Sequence, residues 1–136
     1  MPSVDVSGTV LVVEDDDEVR GLVKSVLESD GFRVLEAPGG QAALTLARSY
    51  PEKIDLLITD VIMPEMTGKQ LVDHLMLLRP GVKILYMSGY SGNVLARRGI
   101  LDAQISYLEK PFSPGSLSAN VREILSSQQL RSSPSP

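Results

Sequence analysis

Five short apolar runs, separated by stretches of helical periodicity, constrain this chain more than any other feature. The runs are Val10–Val13, Arg33–Ala37, Asp55–Thr59, Lys83–Met87 and Ile105–Leu108, the second weaker than the rest. Continuous apolarity over so few residues suits strands buried on both faces, as in a parallel sheet. Between them, Val19, Leu22, Val23, Val26 and Leu27 repeat at one-face helical spacing. Ala43, Leu46, Ala47 and Tyr50 do the same before Pro51, and Leu71, Leu75 and Leu78 before Pro80-Gly81. Leu117, Val121, Ile124 and Leu125 form the last stripe, with Ser113 as its cap and Pro114 in its first turn. Ser91–Asp102, which holds Gly92, Gly99 and Arg97-Arg98, reads as a short or imperfect helix.

The alternation predicts an α/β fold of five βα units with right-handed crossovers and helices on both faces of a parallel sheet. In open sheets of this kind a ligand sits beyond the carboxyl ends of the strands, where strand order reverses. One domain is expected over residues 8–126. Residues 1–7 read as a flexible N-terminus and 127–136 as a disordered Ser/Pro-rich tail.

Several function classes are excluded by what is missing. There is no cysteine and only one histidine, so thiol chemistry and histidine clusters are ruled out. Acids outnumber bases 17 to 13, which argues against a nucleic-acid surface. No apolar run approaches the roughly 20 residues of a membrane span, so no membrane contact is expected of the domain. The N-terminus does not read as a secretory signal. Gly39-Gly40 lacks the dinucleotide fingerprint, and Gly68-Lys69-Gln70 lacks P-loop spacing. His74 and Arg97-Arg98 read as surface groups, and the methionines as packing.

The polar residues that end the runs are the candidates for chemistry. Glu14, Asp15 and Asp16 close the first strand, Asp60 the third, Ser88 the fourth and Lys110 the fifth. Any one of them reads equally well as a polar strand end, and Asp15 or Asp16 as a helix cap. Together they bring carboxylates, a hydroxyl and an ammonium to one edge. Crowded carboxylates repel one another, and a hard divalent cation relieves this. With oxygen ligands only, Mg²⁺ suits such a site. A carboxylate, a cation, a lysine and a hydroxyl suit phosphoryl transfer, with an aspartate as nucleophile.

VLVVEDD (10–16), ITDVIMPEMTG (58–68), LYMSGY (85–90) and YLEKPF (107–112) resemble the receiver domain of two-component response regulators. Their order and separations match too: 45 positions from Asp15 to Asp60, 28 to Ser88 and 22 more to Lys110. The segment from Met87 to Pro114 is most similar to the C-terminal receiver of hybrid sensor histidine kinases. The resemblance implies a flavodoxin-like (βα)5 three-layer sandwich with sheet order 2-1-3-4-5. It implies that Asp60 accepts the phosphoryl group from a histidine kinase or histidine phosphotransfer domain, with small phosphodonors as substitutes. Asp15 would bind Mg²⁺ directly, Glu14 mostly through water, and Asp60 and the Ile62 carbonyl would complete the set, with Mn²⁺ as a substitute ion. Lys110 and Ser88 would contact the phosphoryl group, and Ser88 with Tyr107 would form the switch. Tyr107 is expected to turn from solvent into the fold on phosphorylation. The Lys110–Pro111 bond would be cis. A dimer through the fourth helix, fifth strand and fifth helix, and a cytoplasmic location, are also implied. The domain would turn over no substrate of its own beyond its own phosphorylation and dephosphorylation.

Departures from the family pattern are small. Glu14 stands for the commoner Asp and Ser88 for the commoner Thr. Ile62 and Tyr90 occupy the two positions that tune water access, and Gly89 leaves the entrance open. A stand-alone regulator is the alternative to a piece of a hybrid kinase. A haloacid-dehalogenase-like phosphatase needs an acid two residues after its nucleophile, and Ile62 stands there. A flavin carrier needs a hydroxyl-rich loop after the first strand, where the acids stand instead.

Overall fold

The computed structural model describes residues 8–89 and 106–132, with side chains in the last helix described through 126. Five strands, β1 (Thr9–Val13), β2 (Arg33–Ala37), β3 (Leu56–Asp60), β4 (Lys83–Ser88) and β5 (Tyr107–Glu109), form one sheet in the order 2-1-3-4-5. Every pairing is parallel. The helices are α1 (Asp17–Ser29), α2 (Gly40–Ser49), α3 (Gly68–Leu78) and α4 (Pro114–Ser132). The last of these is the fifth helix of the sequence reading. The segment read as the fourth, 91–102, lies outside the described residues. Among the described residues no helix is long and apolar enough to cross a membrane.

Successive residues of β1 point to opposite faces, and both faces are covered. Val10 and Val12 join Val23 and Leu27 of α1 and Leu117 and Val121 of α4. Leu11 and Val13 join Ala43 and Ala47 of α2 and Leu71 and Leu75 of α3. All five β1 residues are buried, and the four from Val10 to Val13 are all apolar. Burying each such side chain contributes about 1.5–3 kcal/mol.

Two members of the helical stripes stay outside the core. Leu22 is 43% exposed and Leu78 is 42% exposed. Leu22 lies at the edge of the α1 stripe, and Leu78 is in the final turn of α3, beyond the reach of the sheet. The last helix continues to Ser132, past the boundary expected at 126. No proline interrupts the chain between Pro114 and Pro134, so nothing in the backbone stops it earlier.

Capping sets where the helices start and stop. Asp16 accepts from the amides of Glu18 and Val19 at the start of α1. Thr67 and Gln70 form a reciprocal capping box on α3. Ser113 accepts from the Ser116 amide at 3.0 Å, as its position before Pro114 predicts. At the end of α1, Gly31 has φ +100° and Phe32 N–H returns to Leu27 O at 3.0 Å. This is a glycine-terminated helix end, with Phe32 buried behind it.

Candidate phosphoacceptor site

The three acids after β1 have three different fates. Glu14 continues the strand: its N–H donates to Ala37 O at 3.1 Å. Its side chain turns inward and is 1% exposed. Asp16 caps α1. Asp15 stays exposed between them, with one carboxylate oxygen in a cluster with Glu14 and Asp60.

Asp60 ends β3 with its side chain buried. The backbone around it is tightly held. Val61 N–H donates to Met87 O at 3.0 Å, and Gly68 N–H to Val61 O at 2.7 Å. The second bond draws the start of α3 onto the strand end. A Cβ at Gly68 would overlap the Asp60 carbonyl oxygen, so glycine is required by close approach.

Lys110 follows β5, and its backbone N–H donates to Ser88 O at 2.7 Å. The Lys110–Pro111 bond is cis. The ammonium reaches Glu14 Oε1 and Asp60 Oδ1, both at 2.7 Å. Ser88 is buried at the end of β4, on the strand beside Asp60. Glu14, Asp15, Asp60, Lys110 and Ser88 thus come from the carboxyl ends of four strands. The strand order reverses at β1, between β2 and β3, where the topology predicts a ligand site.

Burial acts most strongly on Glu14 and would raise its pKa. Hydrogen bonds with Asp60, Lys110 and the Asp16 amide outweigh it, and the pKa falls below the usual value. Asp60 goes the other way. Burial and then the hydrogen bond to Glu14 push its pKa up to about 7, against the pull of Lys110. Of the two buried acids, Asp60 is therefore the one that takes a proton more readily and Glu14 the one held as a carboxylate. Asp15 is also raised, by burial and then by Glu14.

The donor set fits a hard cation. One carboxylate oxygen from each of Glu14, Asp15 and Asp60 lies within 4.8 Å of the others. A hard divalent cation bound among them would relieve their repulsion, with Asp15 and Asp60 as direct ligands and Glu14 acting mostly through water.

The remaining candidates divide. Ile62 lies on the loop after Asp60, its side chain 52% exposed. Tyr107 already packs inward against Val61 and Tyr86, so the solvent-facing start expected for it is not the arrangement observed. The apolar neighbours favour the ring inside. Among the described residues its buried hydroxyl has no well-formed hydrogen bond. Burial and then Glu109 raise its pKa, and Ser88 opposes them. His74 is exposed on α3, as read. Tyr90 and Arg97-Arg98 lie outside the described residues.

The profile of the response regulator receiver domain matches residues 10–122. The chain belongs to the receiver family. This receiver is 39% identical over 122 residues to the sensor kinase CckA of Brucella abortus, covering 90% of the chain and 13% of CckA. It is 35% identical over 118 residues to the transcriptional regulatory protein CpxR of Escherichia coli, covering 85% of the chain and 48% of CpxR. The chain therefore spans about half or less of the length of these two curated relatives. Among solved structures, the receiver domain of the hybrid histidine kinase CckA superposes with a TM-score of 0.74 at 33% identity, over 87% of this chain and 99% of that one. The chemotaxis protein CheY4 of Vibrio cholerae gives 0.76 at 27% identity, over 88% and 100%. The phosphoacceptor role in two-component signalling and the expected flavodoxin-like order are thereby established.

Proposed function

We propose that Asp60 is the residue of this receiver that takes the phosphoryl group, from a phosphohistidine on a histidine kinase or phosphotransfer domain. The observation that carries the assignment is the buried Asp60 carboxylate, 2.7 Å from Lys110 and clustered with two further acids. An Asp60 oxygen attacks phosphorus, the P–N bond to the imidazole breaks, and the imidazole leaves with its electron pair and takes up a proton. Asp60 attacks as the carboxylate, which the Lys110 ammonium stabilises. Lys110 then pairs with the new phosphoryl oxygens, and Ser88 donates to one of them.

Mg²⁺ is the proposed ion, held by Asp15, Asp60 and the Ile62 carbonyl, with Glu14 behind, and Mn²⁺ as a substitute. When bound it neutralises charge on the transferring group. Ser88 and Tyr107 would form the switch, with phosphorylation holding the inward ring more firmly. A surface formed by the segment 91–102, β5 and α4 would meet partners or a second copy. Hydrolysis of the acyl phosphate would be self-catalysed.

The similarity to CckA favours a receiver within a hybrid sensor kinase, working in the cytoplasm; a stand-alone regulator is the alternative. Mass measurement after incubation with acetyl phosphate and Mg²⁺ tests the site. Wild type should gain one phosphoryl group that hydroxylamine removes, and Asp60→Asn should gain none. A hydroxylamine-labile phosphoryl group on Asp60→Asn would refute the assignment.

A further inference from the structure

Arg20 lies in the first turn of α1, and its side chain folds back over the acidic turn. Nη1 donates to the carbonyl oxygen of Glu14 at 2.7 Å. Nη2 pairs with Asp17 at 2.6 Å, and Nε with Glu36 on β2 at 3.4 Å. Glu36 is held in turn by Lys24 at 3.2 Å. The bland reading is a surface ion pair at i, i+3. Such pairs contribute little, and Asp17 is 85% exposed. The bond to Glu14 is of another kind. Its acceptor is the backbone of a buried residue, and the Arg20 side chain is only 16% exposed. A charge-assisted bond of this length is roughly twice as strong as a neutral one.

That carbonyl belongs to the peptide joining Glu14 to Asp15. The other groups of Glu14 are already committed. Its N–H is bound to Ala37, and its carboxylate to Lys110 and the Asp16 amide. Holding the carbonyl fixes the plane of the peptide from which Asp15 departs. Rotation of that plane would swing the Asp15 carboxylate away from Glu14 and Asp60.

We infer that Arg20 is a positioning residue for the cation site. It locks the Glu14–Asp15 peptide so that the Asp15 carboxylate stays in the three-acid cluster, and Glu36 anchors it from the sheet edge. The inference rests on the reading of Glu14, Asp15 and Asp60 as ligands of a divalent cation.

The test is a Mg²⁺ titration of the whole chain at physiological salt, followed by the backbone amide signals of Glu14, Asp15 and Asp16. Thermal unfolding without metal is measured alongside. Wild type should show saturable shifts at these amides. Arg20→Ala should displace the Glu14 and Asp15 signals before any metal is added and weaken Mg²⁺ binding about tenfold while remaining folded. Asp17→Asn removes only the exposed ion pair and should bind like wild type. Unchanged Mg²⁺ affinity in Arg20→Ala would overturn the positioning role and leave the cation site standing. An equal loss in Asp17→Asn would overturn it too, because surface charge would then be the cause. No saturable shift in wild type would overturn the cation reading and this inference together.

Discussion

Lys110 Nζ lies 2.7 Å from Asp60 Oδ1, and the same ammonium lies 2.7 Å from Glu14 Oε1. One partly sheltered cation thus compensates two carboxylates that are almost wholly buried. Its placement depends on the main-chain bond from Lys110 to Ser88, which continues the β4–β5 ladder beyond the last strand residue.

Removing that cation should affect chemistry more than folding. In Lys110→Met the two acids lose their counter-charge, and Asp60 should hold its proton to higher pH than about 7. The protonated carboxyl is a poor nucleophile, and the developing phosphoryl charge is left uncompensated. Phosphoryl uptake from acetyl phosphate should fall about a hundredfold. Timed mass spectra at fixed Mg²⁺ would measure it, and wild-type rates would contradict it.

Stability of the metal-free protein should depend on pH in a defined direction. The folded Asp60 pKa is raised from 3.8 to about 7, so between those values the folded state binds the extra proton. Its stabilising contribution is complete below pH 3.8 and is lost as pH rises through about 7. At about 1.36 kcal/mol per pKa unit the ceiling is about 4 kcal/mol. The lowered pKa of Glu14 works in the opposite sense, but its contribution is complete above the ordinary value of 4.5 and is lost only at lower pH, outside the range tested. Urea midpoints with a chelator present should therefore fall from pH 5 to pH 8, and Asp60→Asn should flatten the slope. A wild-type midpoint that climbs over this range would refute the raised pKa of Asp60.

Gly68→Ala should damage the site without touching a charged group. The added methyl meets the Asp60 carbonyl oxygen and the Tyr86 ring, so β3 and α3 must move apart. Overpacking of this kind costs about 1–3 kcal/mol. The Gly68–Val61 bond should weaken as well, which faster amide exchange at Gly68 would reveal. Native-like exchange and an unchanged melting temperature would show that the loop absorbs the methyl.

Arg79→Ala separates stability from chemistry. The guanidinium donates to Ala47 O at 3.0 Å, Tyr50 O at 2.5 Å and Glu52 O at 2.6 Å, closing the end of α2 from the far end of α3. Losing a charged donor to three carbonyls, those of Ala47 and Tyr50 partly buried, should cost about 1.5–3 kcal/mol. Phosphoryl uptake at Asp60 should be unaffected, because these contacts lie at the opposite end of the strands. A matching loss of uptake would contradict that separation.

The sheet and its ligand edge were legible from local pattern alone. Val10–Val13 is apolar at every position because both faces of β1 are covered, so the run itself encodes a central parallel strand. Asp60 and Ser88 follow from the same logic: each is the polar residue at which a buried run stops. The order of the motifs along the chain then pointed to the family.

Periodicity loses its force where the strand ends. Glu14, Asp15 and Asp16 are chemically alike and adjacent, and nothing local tells the buried ligand from the exposed one or the helix cap. Their roles are decided by Ala37 on the neighbouring strand, by Lys110 across the sheet and by the start of α1. Arg20 and Arg79 escaped the sequence reading for the same reason. Their key acceptors are backbone carbonyls, which every residue carries and no residue type marks. The exposure of Leu22 and Leu78 and the inward Tyr107 depend likewise on what surrounds each side chain. Hydrophobic spacing determines which elements form and which face they bury, because burial repeats with the local geometry of the backbone. Which charge meets which is left to the packed fold, because partners 96 positions apart, such as Glu14 and Lys110, become neighbours only when the whole sheet has assembled.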